Sequence, residues 1–170
     1  LQAPIFFALF GVLQGIATNT PQGVFQWPQY SALLTQARDS LLFGLVPIYG
    51  TFKDADEVVS TGGSPTATRI LCMVLVVLMT ATTFLTQRQL MVKNMPSDNP
   101  MAQQQKILLY VFPLMFAIGG VGFPVGVLIY WLTTNLWSMG QQFWVIRNNP
   151  SPGTPAYEAY QARQAEKLAE

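Results

Sequence analysis

Two long stretches without a charged residue most strongly constrain the fold of this chain. One runs for forty residues from Ile107 to Ile146, and the other covers eighteen residues from Ile70 to Gln87. A helix of about 20 apolar residues crosses a hydrocarbon core of roughly 30 Å. The longer stretch is broken by GGVGFPVG at 119–126, because Pro124 and four glycines disfavour a continuous helix. The chain is therefore predicted to cross a membrane.

The predicted fold is an all-α, polytopic membrane helix bundle. Its four membrane helices cover residues 1–17, 70–87, 107–121 and 125–146, within a membrane core at 1–146. Only 10% of the residues are charged and the net charge is +1, which excludes a basic nucleic-acid-binding protein and an acidic disordered tail. The absence of His and the presence of one Cys exclude a His- or Cys-rich metal site and an internal disulfide.

Lysine and arginine residues in the short loops predict which way the bundle faces. The segment 88–106 contains three of them in nineteen residues, whereas the segment 18–69 contains three in fifty-two. The loop 88–106 and the tail 147–170 are therefore predicted to be cytoplasmic, and 18–69 to be extracytoplasmic. Within the tail, Thr154 and Pro155 predict the N-cap and first residue of a polar helix.

The extracytoplasmic segment contains a further helical pattern at residues 27–45. Apolar residues recur at helical spacing from Leu33 to Leu45, which predicts an amphipathic helix too short and too polar to span a membrane. Trp27 and Tyr30 suit the headgroup level of a bilayer, so the helix is predicted to lie on the membrane surface. Packing against the outer surface of the protein itself is the alternative.

Uncharged polar residues recur on the predicted membrane helices, whereas no catalytic residue, cofactor or metal site is predicted. The chain has no His, no Ser or Cys beside a base, and no GxxxxGK[ST] loop. The polar residues on the first, second and fourth predicted helices are Gln14, Thr80, Thr83, Gln87, Thr134, Asn135, Ser138 and Gln142. They predict a water-filled cavity open to the cytoplasm. Interhelical hydrogen bonds of about 0.6 kcal/mol each are the alternative.

Three sequence segments identify a family. They are LQAPIFFALFGVLQG at 1–15, TTFLTQRQLM with DNPMAQQQKILLYVFPLMF at 82–116, and FPVGVLIYWLTTNLWSMGQQ at 123–142. The last contains the pattern FPxGxxxYWxxxNxxxxxQQ, which is highly specific. In this order the segments closely resemble YidC-type insertases of the YidC/Oxa/Alb family.

The resemblance implies five core helices, of which this chain holds the last four. The first would carry a membrane-embedded arginine, which no residue present here can replace. The resemblance also implies that client segments slide along apolar faces of the first and third helices present. The matching residues on these two helices are Phe6, Phe10, Val12, Phe112 and Phe116, and the pair Tyr130 and Trp131 on the fourth helix is also implied as a contact. Trp131 stands where many relatives have a Tyr, so a hydroxyl role is not carried over.

The predicted function is therefore that of a membrane protein insertase or chaperone in the bacterial inner membrane. The protein is predicted not to be an enzyme. The implied partners are nascent membrane proteins and the lipid bilayer, with the ribosome and the Sec translocon as further candidates and no nucleic acid bound directly. A small-solute transporter or channel subunit is the alternative, and a structural membrane subunit is another. The lack of an intramembrane ionisable residue argues against ion-coupled transport.

The predicted orientation is tested by cysteine labelling from either side of the membrane. Cysteines at Asp98 and Ser151 should react only from the cytoplasm, and a cysteine at Asp54 only from outside, because the basic loops are retained inside. A membrane-impermeant maleimide on intact cells and inverted vesicles makes the measurement. Labelling of the Asp98 position from outside intact cells would reverse the orientation.

Overall fold

The computed structural model describes residues 2–21, 23–94 and 101–169. They form six α-helices and one short antiparallel hairpin, so the predicted all-α class is confirmed. In chain order the elements are α1 Gln2–Thr18, α2 Ser31–Asp39, β1 Leu41–Leu42, β2 Val46–Pro47, α3 Pro65–Asn94, α4 Met101–Gly119, α5 Val125–Asn148 and α6 Pro155–Ala169. Short 3-10 turns lie at Gly23–Gln26, Pro28–Tyr30, Ala55–Thr61 and Gly120–Gly122.

The four predicted membrane helices are all helical, but α3 and α4 extend well beyond their predicted bounds and α5 extends two residues further. α3 continues past Gln87 to Asn94, and α4 already begins at Met101, so most of the predicted loop 88–106 is helix. A charged residue ends an apolar stretch without ending a helix, and Gln, Arg, Leu, Met and Lys are all good helix formers. Leu1 and residues 95–100, which the predicted first helix and loop include, lie outside the described residues.

The amphipathic helix predicted within 27–45 is shorter than its pattern suggested. α2 ends at Asp39, and Leu42 and Leu45 flank a hairpin turn in which the Leu45 amide donates to the Leu42 carbonyl at 3.0 Å. The central residues Phe43 and Gly44 have φ values of 55° and 70°. Positive φ at both positions defines the turn type that matches the twist of paired strands. The predicted helical continuation to Leu45 was wrong.

The first of two compact units comprises Leu1–Leu78 and Ala117–Leu132. Its core cluster of buried residues contains Leu13, Ile16, Leu34, Tyr49 and Val127. Leu34 of α2 is only 6% exposed whereas its neighbour Leu33 is 49% exposed. One face of α2 therefore packs on the protein, as the alternative interpretation held. The headgroup position of Trp27 and Tyr30, both exposed, stays a prediction.

The segment between α1 and α3 caps the beginning of α5. The amide of Val125 donates to the Gly50 carbonyl and the amide of Gly126 to the Ile48 carbonyl, both at 2.8 Å. The amides of the next two residues donate to the Pro124 carbonyl. The first N–H groups of a helix have no partner within the helix. Loop carbonyls and Pro124 therefore satisfy the donors at this end of α5.

The second compact unit comprises Met79–Phe116 and Thr133–Glu170, so α3 and α5 each contribute to both units. α6 begins as predicted. Thr154 is its N-cap, because the Tyr157 amide donates to Thr154 Oγ1 at 3.3 Å, and Pro155 is its first residue. The ring of Phe84 on α3 contacts the ring of Tyr110 on α4, with centroids 6.1 Å apart.

Apolar side chains on α3 and α4 are exposed along one face of each helix. On α3 these residues include Ile70, Met73, Val74 and Val77, and on α4 they include Ile107, Tyr110, Val111, Leu114 and Ile118. Their helical spacing is that of lipid-facing stripes. Among the described helices, only Pro65–Gln89 is long and apolar enough to cross a membrane, while Ala3–Thr18 and Leu109–Gly122 are shorter apolar stretches. The number of membrane helices therefore stays a prediction.

A close approach between the α4–α5 turn and α3 gives a test of the packing in the first unit. A Cβ added at Gly120 would lie 2.7 Å from Val76 Cγ2, whereas a Cβ at Gly122 would meet no atom within 4 Å. The β-branched Val76 is held in one rotamer on a helix and cannot move away. Gly120→Ala should therefore destabilise the protein by about 1–3 kcal/mol.

The measurement is the midpoint of thermal unfolding in detergent, with Gly122→Ala as the matched control. Gly122→Ala should leave the midpoint unchanged or raise it slightly, since it removes only freedom of the unfolded chain. Equal shifts in the two variants would show that the contact with Val76 is not the cause.

Candidate functional site

One hydrogen bond joins the polar faces of α3 and α5 in the second unit. The side-chain amide of Asn135 donates to Thr83 Oγ1 at 2.8 Å. The same nitrogen lies 3.4 Å from Thr82 Oγ1 and 3.5 Å from the Met79 carbonyl, which are at the long limit for hydrogen bonds. The structure thus brings together two of the predicted polar residues. Both the groove and the interhelical alternative stay predictions, because a hydrogen bond between two helices is compatible with either.

On either side of this bond along the two helices, buried polar atoms lack a hydrogen-bond partner among the described residues. They are Thr80 Oγ1, Thr86 Oγ1 and Gln89 Oε1 on α3 and Gln142 Oε1 on α5. Leaving such a group unsatisfied costs about 1–3 kcal/mol each. Hydrocarbon cannot supply the missing partners, whereas water can. We call these four residues, with Thr83 and Asn135, the polar cluster.

The other residues predicted to line the cavity do not belong to the polar cluster. Gln87, Thr134 and Ser138 are half-buried on the same two helices as the polar cluster. Gln14 lies in the first unit with an exposed side chain, and its backbone carbonyl accepts a hydrogen bond from Thr18 Oγ1 at 2.9 Å.

Sequence reasoning missed Thr82 and Gln89. Thr82 is buried, its Oγ1 donates to the Met79 carbonyl at 3.0 Å, and Gln89 carries one of the unpartnered atoms. Together with Thr86 they recur at i, i+4 and i+7, which is one face of a helix. That spacing could have indicated a polar face adjacent to the one through Thr80, Thr83 and Gln87.

An aromatic cluster lies in the first unit, where α1 meets the beginning of α5. The Phe6 ring centroid is 5.0 Å from that of Trp131 and 5.7 Å from that of Phe123, both edge to face. Phe10 also contacts Phe123, at 6.3 Å. Three of these residues were predicted to contact clients, and Phe123 was missed although it opens the family's pattern. The family pattern itself was the signal that could have identified Phe123.

An apolar cavity of about 310 Å³ adjoins this aromatic cluster and is lined by Ala3, Phe6, Phe7 and Trp131. Phe7 is 68% exposed. An apolar cavity beside exposed aromatic rings can accept an aliphatic or aromatic side chain of another molecule, because burial removes apolar area from water.

The remaining residues predicted to contact clients belong to different compact units. Val12 is half-buried and packs against the core cluster of the first unit, and Tyr130, also half-buried, lies in the same unit. Phe116 is half-buried in the second unit. The side chain of Phe112 lies outside the described residues.

Comparisons with known proteins agree with the resemblance seen in the sequence. Membrane protein insertase YidC of Streptomyces avermitilis is 51% identical over 165 residues, which are 95% of this chain and 37% of that protein. Membrane protein insertase YidC of Tropheryma whipplei strain Twist is 38% identical over 170 residues, with 96% and 53% covered. The protein of the same name from Mycobacterium tuberculosis H37Rv is 27% identical over 162 residues, with 85% and 43% covered.

The chain thus spans between 37% and 53% of the length of these three relatives. No solved structure matches it. The family model for the 60Kd inner membrane protein matches residues 1–152, which is most of the chain. The predicted resemblance to YidC-type insertases is confirmed, and the chain belongs to the 60Kd inner membrane protein family.

Proposed function

We propose that this chain forms the membrane core of an insertase that moves apolar segments of client proteins into the bilayer. The observation that carries the proposal is the set of four buried polar atoms on α3 and α5 that have no partner among the described residues. Buried polar atoms without a protein partner are expected where water molecules enter between helices and supply the missing hydrogen bonds, which hydrocarbon cannot do. In this proposal the polar cluster lines a groove that is open to the cytoplasm.

The free energy of insertion explains what the groove does. An apolar residue at mid-membrane contributes roughly 0.3–0.6 kcal/mol, so an apolar client helix enters the bilayer spontaneously once its flank can follow. The polar flank is the obstacle, because each unsatisfied group costs several kcal/mol in hydrocarbon. A groove that holds water lowers this barrier for the flank. No covalent reaction or nucleotide is part of the mechanism.

In this proposal the client segment is received by an apolar surface of the first unit, which the aromatic cluster and Val12 form, and Phe116 of the second unit is a further proposed client contact. Rings of Phe6, Phe123 and Trp131 pack against one another and form a firm wall beside an apolar cavity. Such a surface accepts many different apolar side chains, because the hydrophobic effect is non-directional and no specific hydrogen bond is required. We call this surface the slide.

The orientation and partners of the chain follow from the same proposal. The basic residues Arg88 and Arg147, at the ends of the charge-free stretches, are proposed to face the cytoplasm. The nascent membrane proteins that supply the client segments arrive on that side, and the bilayer receives them. The ribosome and the Sec translocon are proposed as partners that deliver clients to the groove.

Cysteine accessibility tests the groove in the full-length protein. In a background in which the buried Cys72 is replaced by Ala, cysteines at Thr83, Asn135 and Gln142 should react with a small polar thiol reagent, because water reaches the polar cluster. Cysteines at Leu75 and Val76, which are buried among apolar residues, should not react. Reaction is quantified by mass spectrometry.

Equal protection at all five positions would show that α3 and α5 are packed without water. The polar cluster would then be explained by interhelical hydrogen bonds, and the groove would be rejected. A cysteine at Thr86, whose hydroxyl has no partner among the described residues, provides an independent replicate of the result.

Photocrosslinking tests the slide. Crosslinkers at Val12 and Phe116 should capture nascent membrane segments, whereas one at Leu33 should capture few. Leu33 is the matched control because it is apolar and 49% exposed, so exposure alone would give it equal capture. Val12→Asp should slow insertion of single-span clients, since a charge at mid-membrane costs roughly 2.5–3.5 kcal/mol.

The aliphatic variant Val12→Ile should change the insertion rate little, because the client's own apolar residues provide the driving force. Normal insertion by folded protein carrying both Val12→Asp and Phe116→Asp would refute the slide. Thermal unfolding in detergent identifies variants that fail because they do not fold.

A further inference from the structure

A second cavity, of about 430 Å³, lies entirely within the second unit. It is enclosed by the ends of α3 and α5 and by one face of α6. Phe143, Ile146 and Ala159 contribute apolar walls, and Gln89, Arg147 and Arg163 contribute polar groups. The groove and slide proposed above use none of these residues except the unpartnered oxygen of Gln89.

The fold holds α6 against the end of α5. The chain turns at Gly153, whose φ is 75°, and Thr154 is buried and caps α6. Farther along, Arg163 Nη2 donates to the Arg147 backbone carbonyl at 2.9 Å. This bond satisfies one of the carbonyls that a helix leaves free at its C-terminus. The cavity is therefore preformed by capping and helix-end contacts.

Neither of the two guanidinium groups lining the cavity forms an ion pair among the described residues. The ion pair that the described residues contain joins Arg69 and Asp56, which belong to the first unit. Glu158 and Glu166 lie on α6 but form no ion pair there with Arg147 or Arg163. Arg163 uses one of its five N–H donors on a carbonyl, which leaves donors for an anion.

The cavity lies where the apolar part of the bundle ends. Gln89 is the last residue of the apolar stretch Pro65–Gln89, and Arg147 directly follows the charge-free stretch that ends at Ile146. This is the depth at which hydrocarbon gives way to lipid headgroups. In the proposed orientation it is the cytoplasmic leaflet, whose surface is rich in anionic lipids. This step rests on the proposed function.

The chemistry of the cavity combines a site for an anion, a hydrogen-bond acceptor and an apolar wall. Guanidinium groups bind phosphate oxygens through paired N–H donors. The buried Gln89 Oε1, which has no partner among the described residues, can accept a hydrogen bond from a hydroxyl. Phe143 and Ile146 can contact the glycerol and the first carbons of an acyl chain.

We propose that this cavity binds the headgroup of an anionic phospholipid, with Arg147 and Arg163 on the phosphate and Gln89 on a headgroup hydroxyl. Bound lipid would join α6 to the membrane-embedded ends of α3 and α5. Free phosphate shares the anionic chemistry but would make no use of the apolar wall.

Lipid binding to the full-length protein tests the proposal. Detergent-solubilised protein is titrated with dioctanoyl phosphatidylglycerol, and bound lipid is counted by native mass spectrometry. Arg147→Gln and Arg163→Gln should each lower the affinity about tenfold, because each removes a charge-assisted hydrogen bond. Lys167→Gln is the matched control, since it removes a positive charge from α6 outside the cavity lining and should leave the affinity unchanged.

Two further variants test whether the lipid occupies the cavity and is held there by charge. Ala159→Leu fills the cavity without changing its charge and should weaken lipid binding, and Arg163→Lys should keep part of the affinity that Arg163→Gln loses. Circular dichroism confirms that each variant is folded. Equal binding of dioctanoyl phosphatidylcholine, or no loss in either Arg→Gln variant, would overturn the proposal.

Inorganic phosphate is titrated in parallel. If it binds as tightly as the lipid and is unaffected by Ala159→Leu, the site takes a free anion and the lipid proposal is wrong. Because bound lipid is counted directly, the result does not depend on insertion activity. Failure of the insertase proposal and failure of this one are therefore recognised separately.

Discussion

Hydrocarbon offers no hydrogen-bond partner, and the polar atoms on α3 and α5 are organised by that constraint. Asn135 and Thr83 satisfy each other across the two helices at 2.8 Å. The hydroxyls of Thr80 and Thr86 have no such arrangement among the described residues. The same pair of helices is thus held together at one level and left with unsatisfied groups at others. In the proposed function, water in a groove would leave the one direct bond intact and supply the remaining partners.

The helices could be predicted from sequence because their causes are local. An apolar stretch broken by Pro124 specifies where α5 begins, and Thr154 with Pro155 specifies the beginning of α6. The ends of α3 and α4 could not be predicted from charge, since charged residues are compatible with helix outside the hydrocarbon. The hairpin at Phe43 was also missed, because a phenylalanine at positive φ is uncommon and the leucines around it repeat at helical spacing.

The sequence predicted the chemical character of the candidate site, but only some of the residues that form it. Helical spacing identified Thr83 and Asn135, which are in direct contact. It did not identify Gln89 or Phe123, whose importance depends on burial and on rings contributed by another helix. The separation of Val12 and Phe116 into two compact units was likewise invisible in the sequence, because it depends on how distant segments pack.

The capping of α5 by the segment between α1 and α3 has a consequence for ion leakage. The Gly50 and Ile48 carbonyls satisfy the first donors of α5 directly, so this end of the helix needs no hydration. Protons cross membranes along unbroken chains of water, and such a chain ends where backbone groups bond to one another. In the proposed insertase, a helix end closed in this way would leave no place for such a chain beside it, and the ion gradients across the membrane would be retained while polar flanks enter from the other side.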